Sequence, residues 1–174
     1  MRFAFLLPLA ALVLTGCAGY QLGPIKPTRM AKVNTLAVLN FKNDTLLPRV
    51  EVLLANAVIK QIQQDGTYKI ARENEADAVF QGHLEQTVRS PARSVRGNIL
   101  LTREYVLTLR CRYDVTDRVT GQVLASRSAV GQTTFFASST DTISADLIQD
   151  ERQALPLAAE ELAKDIVTHL SEGW

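Results

Sequence analysis

A stretch of regular alternation in the second half of the chain most constrains the fold. Between residues 101 and 116, apolar side chains recur at every second position with polar ones between them, except at Arg103 and Val106. Successive side chains of a β-strand point to opposite faces, so this period predicts a long strand with one buried face, as in an antiparallel sheet. The apolar positions are Leu101, Tyr105, Leu107, Leu109, Cys111, Tyr113 and Val115.

Shorter patterns predict the other strands. An apolar run over residues 34–41 predicts a covered strand, and residues 68–71 form a brief extended piece. Residues 78–89 again alternate, which places Arg89 on the polar face. A weaker alternation over residues 122–136 predicts a last strand at an edge or with a partly wet face. The buried face of the 78–89 strand is predicted to carry Phe80, Gly82, Leu84 and Val88.

Two amphipathic helices are predicted. In the first, Asp44 or Thr45 supplies the N-cap, Pro48 lies in the first turn, and Gly66 is the left-handed stop. The second covers residues 146–171 and contains Pro156, which predicts either a kink or the start of a further helix. The stripe of the first helix is Val50, Leu54, Val58 and Ile62, and that of the second is Leu155, Ala159, Leu162, Ile166 and Leu170.

This element order is β-α-β-β-β-α. Two amphipathic helices bury their stripes most simply on one face of a sheet. We therefore expect an α+β fold in which two helices pack on one face of a mostly antiparallel four-stranded sheet. The first helix would connect two parallel strands.

The N-terminus has the anatomy of an export signal. As a helix, the apolar run from Phe3 to Leu14 would span about 18 Å, too short for a hydrocarbon core of about 30 Å. The following Leu14-Thr15-Gly16-Cys17 resembles the bacterial lipobox. That resemblance implies a signal peptide over residues 1–16, lipidation of Cys17 and a tether over residues 17–33. Residues 34–174 are then expected to form a single domain.

Composition limits the partners. The 19 basic residues are nearly balanced by 18 acidic ones, so no general attraction for nucleic acid is expected. No stretch after the signal approaches 18 apolar residues, and we expect no transmembrane helix. If Cys17 carries lipid, Cys111 has no disulfide partner and is expected to be a buried, unreactive thiol.

The chain resembles the lipopolysaccharide-assembly lipoprotein family, LptE. The resemblance covers most of the sequence after the lipobox; the lipobox is its specific motif, and the other matches carry weight mainly through their order. The matching segments are Gly19-Tyr20-Gln21-Leu22, Leu36-Ala37-Val38-Leu39-Asn40-Phe41, Pro48-Arg49-Val50-Glu51, Ala76-Asp77-Ala78, Glu104-Tyr105 and Phe135-Phe136.

The resemblance implies a lipid-anchored protein on the periplasmic side of the outer membrane. Members of this family plug the β-barrel LptD, assist its assembly and contact lipopolysaccharide during transport to the cell surface. Palmitate on Cys17 is implied in the same way. Ala18 and Gly19 follow the lipid site without an Asp, which is compatible with sorting to the outer membrane.

The candidate lipopolysaccharide-binding residues are Arg89, Arg93 and Arg96. Pro91 and Gly97 predict a loop around them, and guanidinium groups can hold phosphate bidentately. Arg96 matches the family's basic position before the Glu-Tyr strand. A second basic position of the family has no counterpart in residues 138–145. The alternative is a solvated loop whose arginines aid solubility or pair with carboxylates.

No catalytic, metal or cofactor site is expected. His83 and His169 have no second ligand at metal spacing, and neither a nucleophile elbow nor a phosphate-binding glycine loop occurs. Arg110 and Arg112 either extend the arginine cluster or pair with Glu85 across the sheet, and the cross-strand pairing is favoured. An alternative class is an outer-membrane lipoprotein of the peptidoglycan-synthase-activator or curli-secretion type, whose members begin with a similar strand and helix.

Overall fold

The computed structural model describes residues 26–95, 98–136 and 145–172, and within them the side chains of 93–95, 98–103 and 145–148 are not included. A short 3₁₀ turn, Thr28–Met30, precedes the first strand. The remaining elements are β1 (Thr35–Val38), β2 (Lys42–Asn43), α1 (Val50–Asp65), β3 (Lys69–Ile70), β4 (Ala78–Val95), β5 (Asn98–Asp117), β6 (Val123–Phe136) and α2 (Ala145–Glu172).

The sheet combines a parallel and an antiparallel part. Its strand order is β3-β1-β4-β5-β6, and β2 also pairs with β4. The β1 strand is parallel to both β3 and β4, whereas β4, β5 and β6 form an antiparallel meander. The α+β class with two helices is confirmed. The sheet is mixed because α1 carries the chain back to place β3 parallel to β1.

The predicted buried face of β5 forms the centre of the core. Its side chains from Leu107 to Val115 on that face are all fully buried, including Cys111. Burial raises the pKa of the Cys111 thiol to about 12, so the thiolate is scarce at neutral pH. The expected burial of the Cys111 thiol is confirmed.

Helix α2 lies across β5 and β6 and runs without interruption through Pro156. A further helix does not begin at the proline. Gly131 of β6 faces α2 so closely that an added Cβ would lie 2.6 Å from the Leu162 nitrogen. The small buried residues Ala158 and Ala163 permit this approach. The predicted α2 stripe is buried except for the half-buried Leu155.

The start of α1 differs from the prediction. The N-cap residue is Arg49, in the left-handed region with φ of 64°, and no side chain caps the helix. Asn43 organises the preceding loop instead, because its Oδ1 accepts the Thr45 N–H at 2.9 Å and its Nδ2 donates to the Leu47 carbonyl at 2.7 Å. Pro48 therefore lies outside the helix. The predicted stop at Gly66 is confirmed, with φ of 77°.

The folded domain begins before residue 34. Met30 and Val33 are buried in the core. The Lys26 ammonium donates to the Val33 carbonyl at 2.6 Å and lies 4.9 Å from the centre of the Tyr68 ring. Residues 26–33 thus pack against the domain, whereas the expected tether extended to residue 33.

Among the helices in the described part of the chain, none is both long and apolar enough to cross a bilayer.

One carboxylate ties the start of β1 to the start of β4. Asp77 Oδ2 accepts the backbone N–H groups of Asn34 and Thr35, both at 2.9 Å. These two bonds, together with the Thr35 hydroxyl, hold the pKa of Asp77 below its usual value. A depressed pKa in the folded state means that the ionised carboxylate stabilises the fold.

We predict that Asp77→Ala lowers the free energy of unfolding by about 1 kcal/mol at neutral pH, a small value because the carboxylate is exposed. The difference from wild type should persist above about pH 4, the usual Asp pKa, and shrink as pH falls through the lowered folded pKa. Urea titrations at several pH values measure this. Asp114→Ala is the control and should change stability by less than about 0.5 kcal/mol. A difference for Asp77→Ala that grows on acidification would contradict the assignment.

Candidate functional site

A β-bulge in β4 decides which of its side chains face the helices. Leu84 lies opposite Cys111, but Gln86 lies opposite Arg110, so Glu85 is an extra residue in β4. One extra residue exchanges the two faces of the strand beyond it. The period of two predicted from the sequence therefore holds only up to Leu84.

Beyond the bulge, Arg89 turns to the covered face of the sheet. Thr87 lies opposite Leu109, and Arg89 lies opposite the buried Leu107. Val88 is placed on the other face. The predictions that Val88 joins the buried face and that Arg89 lies on the polar face are therefore wrong.

Arg89 is engaged by the helix layer. Its Nη1 lies 2.8 Å from Glu151 Oε2 on α2, and its guanidinium carbon lies 5.8 Å from the centre of the Tyr105 ring. The two charged side chains are 39% and 18% exposed, respectively. Partial burial makes such a pair stronger than a fully exposed one. Arg89 thus joins β4 to the first half of α2.

The predicted loop around the arginine cluster is largely strand. Pro91 pairs with Tyr105, and β4 continues to Val95, with irregular register on either side of Arg93. Proline is tolerated in a strand at a free edge or beside such an irregularity. No described strand pairs with this part of β4 on its other side.

The structure brings only part of the predicted site into view. The backbone of Arg93 lies opposite Glu104 near the end of β4, and its side chain belongs to those not described. Arg96 and Cys17 lie outside the described residues. Arg89 therefore differs from the other two arginines of the predicted site, because its guanidinium is already paired with Glu151 of α2.

The sheet face opposite the helices is exposed along the meander. In β6 the even-numbered residues from Ser126 to Phe136 are exposed, while Ala129, Gly131 and Phe135 are buried. On this face Arg112 Nε lies 3.7 Å from Glu85 Oε1, which confirms the expected pairing of Arg112. Both side chains are largely exposed, so the pair contributes little to stability.

One end of this open face carries a diagonal row of apolar side chains. Val88, Val106 and Phe136, which we call the distal patch, are diagonal neighbours in the β4–β5 and β5–β6 registers, where Val88 lies opposite Thr108 and Phe136 lies opposite Glu104. Phe136 is 68% exposed, and the two valines are half-buried. Apolar side chains grouped at one place on an open face indicate an interaction surface. The patch is not evident from the sequence, because Val106 interrupts the alternation of β5.

The described residues, 26–95, 98–136 and 145–172, form no cluster of three or more potential metal ligands. His83 lies on the open face opposite Arg112, whereas His169 lies in the last turn of α2. The two histidines are thus far apart in the fold and on different layers.

We predict that Arg89 and Glu151 are energetically coupled. A double-mutant cycle with Arg89→Ala and Glu151→Ala should give a coupling energy of about 0.5–1.5 kcal/mol, since the pair is partly shielded from solvent. The exposed pair of Arg112 and Glu85 serves as the control and should give less than about 0.5 kcal/mol. Thermal or urea unfolding measures both cycles. Equal coupling in the two cycles would show that Arg89 is not held by α2.

Several solved structures share this fold. The "PelC dodecamer" structure from Paraburkholderia phytofirmans has a TM-score of 0.50 at 20% identity, covering 87% of this chain and 96% of that one. The hypothetical protein CT253 from Chlamydia trachomatis has a TM-score of 0.53 at 8% identity, with coverages of 80% and 96%. A minor lipoprotein from Acinetobacter baumannii has a TM-score of 0.51 at 15% identity, with coverages of 80% and 91%. At these identities the likeness establishes the fold alone.

Family membership comes from the sequence profile. No curated protein matches the chain. The profile of LptE, described as lipopolysaccharide assembly, matches residues 33–170, which comprise nearly all of the folded domain. This chain belongs to the LptE lipopolysaccharide-assembly family.

Proposed function

We propose that this chain is an outer-membrane lipoprotein that plugs the LptD β-barrel, assists its assembly and takes part in lipopolysaccharide transport. The observation that carries the proposal is the uncovered sheet face of a domain in the LptE family. One layer of helices buries one face of the meander, and the other face stays available to a partner.

The open face has the surface chemistry that a barrel lumen requires. The interior of a large outer-membrane barrel is polar and water-filled. Most of the open face is polar, with Arg110, Arg112, Ser128 and Gln132 exposed on it. The distal patch adds an apolar contact at one end, and desolvated apolar contacts contribute most of the affinity at protein interfaces.

Lipidation of Cys17 would hold the domain at the periplasmic side of the outer membrane. Several acyl chains on one cysteine anchor a protein stably, whereas a single chain holds it only marginally. Residues 18–25 would then be the tether, because the chain is packed against the domain from Lys26 onward.

We further propose that Arg93 and Arg96 contact anionic groups of lipopolysaccharide. Both belong to the arginine cluster of residues 89–96, and Arg96 matches the family's basic position. Arg89 is left out of this proposal because its guanidinium is paired with Glu151.

Recovery of a barrel partner tests the main proposal. The tagged full chain is extracted from its membrane in a mild detergent, and the proteins that co-purify are identified by mass spectrometry. We expect an LptD-type barrel in near-equal amount, and Phe136→Asp should reduce its recovery severalfold. Val119→Asp is the matched control, since Val119 is 78% exposed in the β5–β6 turn, away from the distal patch.

Both variants should retain the wild-type melting temperature. Undiminished recovery of the barrel with Phe136→Asp would contradict the role of the distal patch. Recovery of a peptidoglycan synthase without any outer-membrane barrel would contradict the plug and favour the enzyme-activator class.

We predict that Arg93→Glu combined with Arg96→Glu weakens lipopolysaccharide binding by about tenfold or more, because two charge-assisted contacts are replaced by repulsion. The control variant carries Lys69→Glu and Arg72→Glu, which make the same charge change at exposed positions on and just after β3. Binding of the purified full chain to immobilised lipopolysaccharide measures the effect. Equal loss in both variants would assign it to overall charge.

A further inference from the structure

A cavity lies beside the 3₁₀ turn, near the first described residue of the chain. It has a volume of about 390 Å³ and is bordered by the 3₁₀ turn, the first residues of β6 and the last turn of α2. We call it the anchor-end pocket. The residues that matter here are Pro27, Arg29, Leu124, Arg127, His169 and Leu170.

Two guanidinium groups and one imidazole ring line this pocket from three elements. Arg29 comes from the 3₁₀ turn, Arg127 from β6 and the His169 ring from α2. Within the described part of the chain, neither guanidinium makes a hydrogen bond or an ion pair. Two unpaired guanidinium groups at the rim of one cavity are an arrangement suited to an anion.

Two buried polar atoms, one on a residue that lines the pocket and one on the neighbouring strand β5, also lack a partner among the described residues. Tyr113 is fully buried and lies opposite Arg127 on the covered face of the sheet. Its hydroxyl and the Nδ1 atom of His169 make no hydrogen bond to any described group. Such atoms usually have a partner, because leaving one unpaired costs free energy.

No described residue that lines the pocket carries a carboxylate, and Arg29 also lines a neighbouring cavity together with Asp77 and Asp117. Asp165 Oδ2 accepts the backbone N–H of Val130 at 2.9 Å, and Oδ1 lies 3.7 Å from His169 Nε2. Asp165 is not among the lining residues. The helix-end carbonyl of Leu170 is likewise occupied, since it accepts the Tyr68 hydroxyl at 2.7 Å.

We propose that the anchor-end pocket binds a phosphate group. Arg29 and Arg127 would hold its oxygens, and His169 would donate a further hydrogen bond. Pro27, Leu124 and Leu170 would contact an apolar part of the same molecule. This function is distinct from the barrel plug and from the lipopolysaccharide contact proposed at the opposite end of the sheet.

The phosphate could belong to a membrane lipid or be free in solution. Cys17 precedes Pro27 by ten residues, which span at most about 35 Å when extended. A lipidated Cys17 would therefore keep the pocket near the membrane surface. Only the lipid source rests on the proposed anchor, and phosphate binding itself does not.

The two histidines of the chain provide the test, because His169 lines the pocket and His83 lies on the open face. The full chain, isotope-labelled at histidine and held in non-ionic detergent, is titrated with inorganic phosphate. A second titration uses micelles containing phosphatidylglycerol, with phosphatidylcholine micelles and sodium chloride at equal ionic strength as controls. Imidazole resonances are assigned with His83→Gln.

We expect a saturable shift of the His169 resonances and none of His83. Arg29→Gln with Arg127→Gln should weaken the apparent affinity by at least about tenfold, whereas Lys69→Gln with Arg72→Gln should leave it unchanged. The single variant Arg29→Gln gives a smaller loss and guards against misfolding of the double variant. If inorganic phosphate saturates the His169 shift and phosphatidylglycerol does not, the ligand is a free phosphate. If phosphatidylglycerol saturates it and inorganic phosphate does not, the ligand is a lipid headgroup.

Three results would overturn the proposal. These are equal shifts of both histidines, no shift of His169 with either probe, and a His169 response that survives the loss of both pocket arginines. A failure here would leave recovery of the barrel partner unaffected, so the two proposals can fail separately.

Discussion

Burial of one face of β5 beneath helix α2 is the constraint on which the rest of the structure depends. The strand supplies five consecutive fully buried positions on that face, and α2 reaches them across Gly131 of β6. Because only glycine fits at that crossing, the helix sits close enough to exclude water from the core. The opposite face then has no described helix to cover it, which leaves the meander open on one side.

Much of this arrangement is predictable from periodicity. The period of two in β5 and the four-residue stripe of α1 both appear in the structure as expected, since burial of one face fixes each pattern. Gly66 ends α1 because glycine, which has no Cβ, adopts the left-handed backbone conformation at little cost in free energy. The cap of α1 was not predictable in the same way. Asp44 and Thr45 have suitable side chains, but tertiary packing starts the helix at Arg49 without a side-chain cap.

The face of Arg89 depended on a single inserted residue. The bulge at Glu85 is not marked by a characteristic residue such as glycine. Its one sign in the sequence is the polar Gln86, at a position where continued alternation requires an apolar side chain. Without the bulge, the predicted alternation assigns Val88 and Arg89 to the wrong faces of β4, and the distal patch is not predicted. Arg29 and Arg127 were missed for another reason, since only the folded chain brings the 3₁₀ turn beside β6.

The domain therefore presents two chemically different ends joined by one polar sheet face. Site-specific photocrosslinking in intact cells tests most directly whether that face meets the proposed barrel. A photoreactive side chain at Gln132, on the open face of β6, should form an adduct with an LptD-type barrel, and the same group at Lys69 on β3 should form far less. Crosslinking of Gln132 only to periplasmic enzymes, or no adduct with a barrel, would contradict the account.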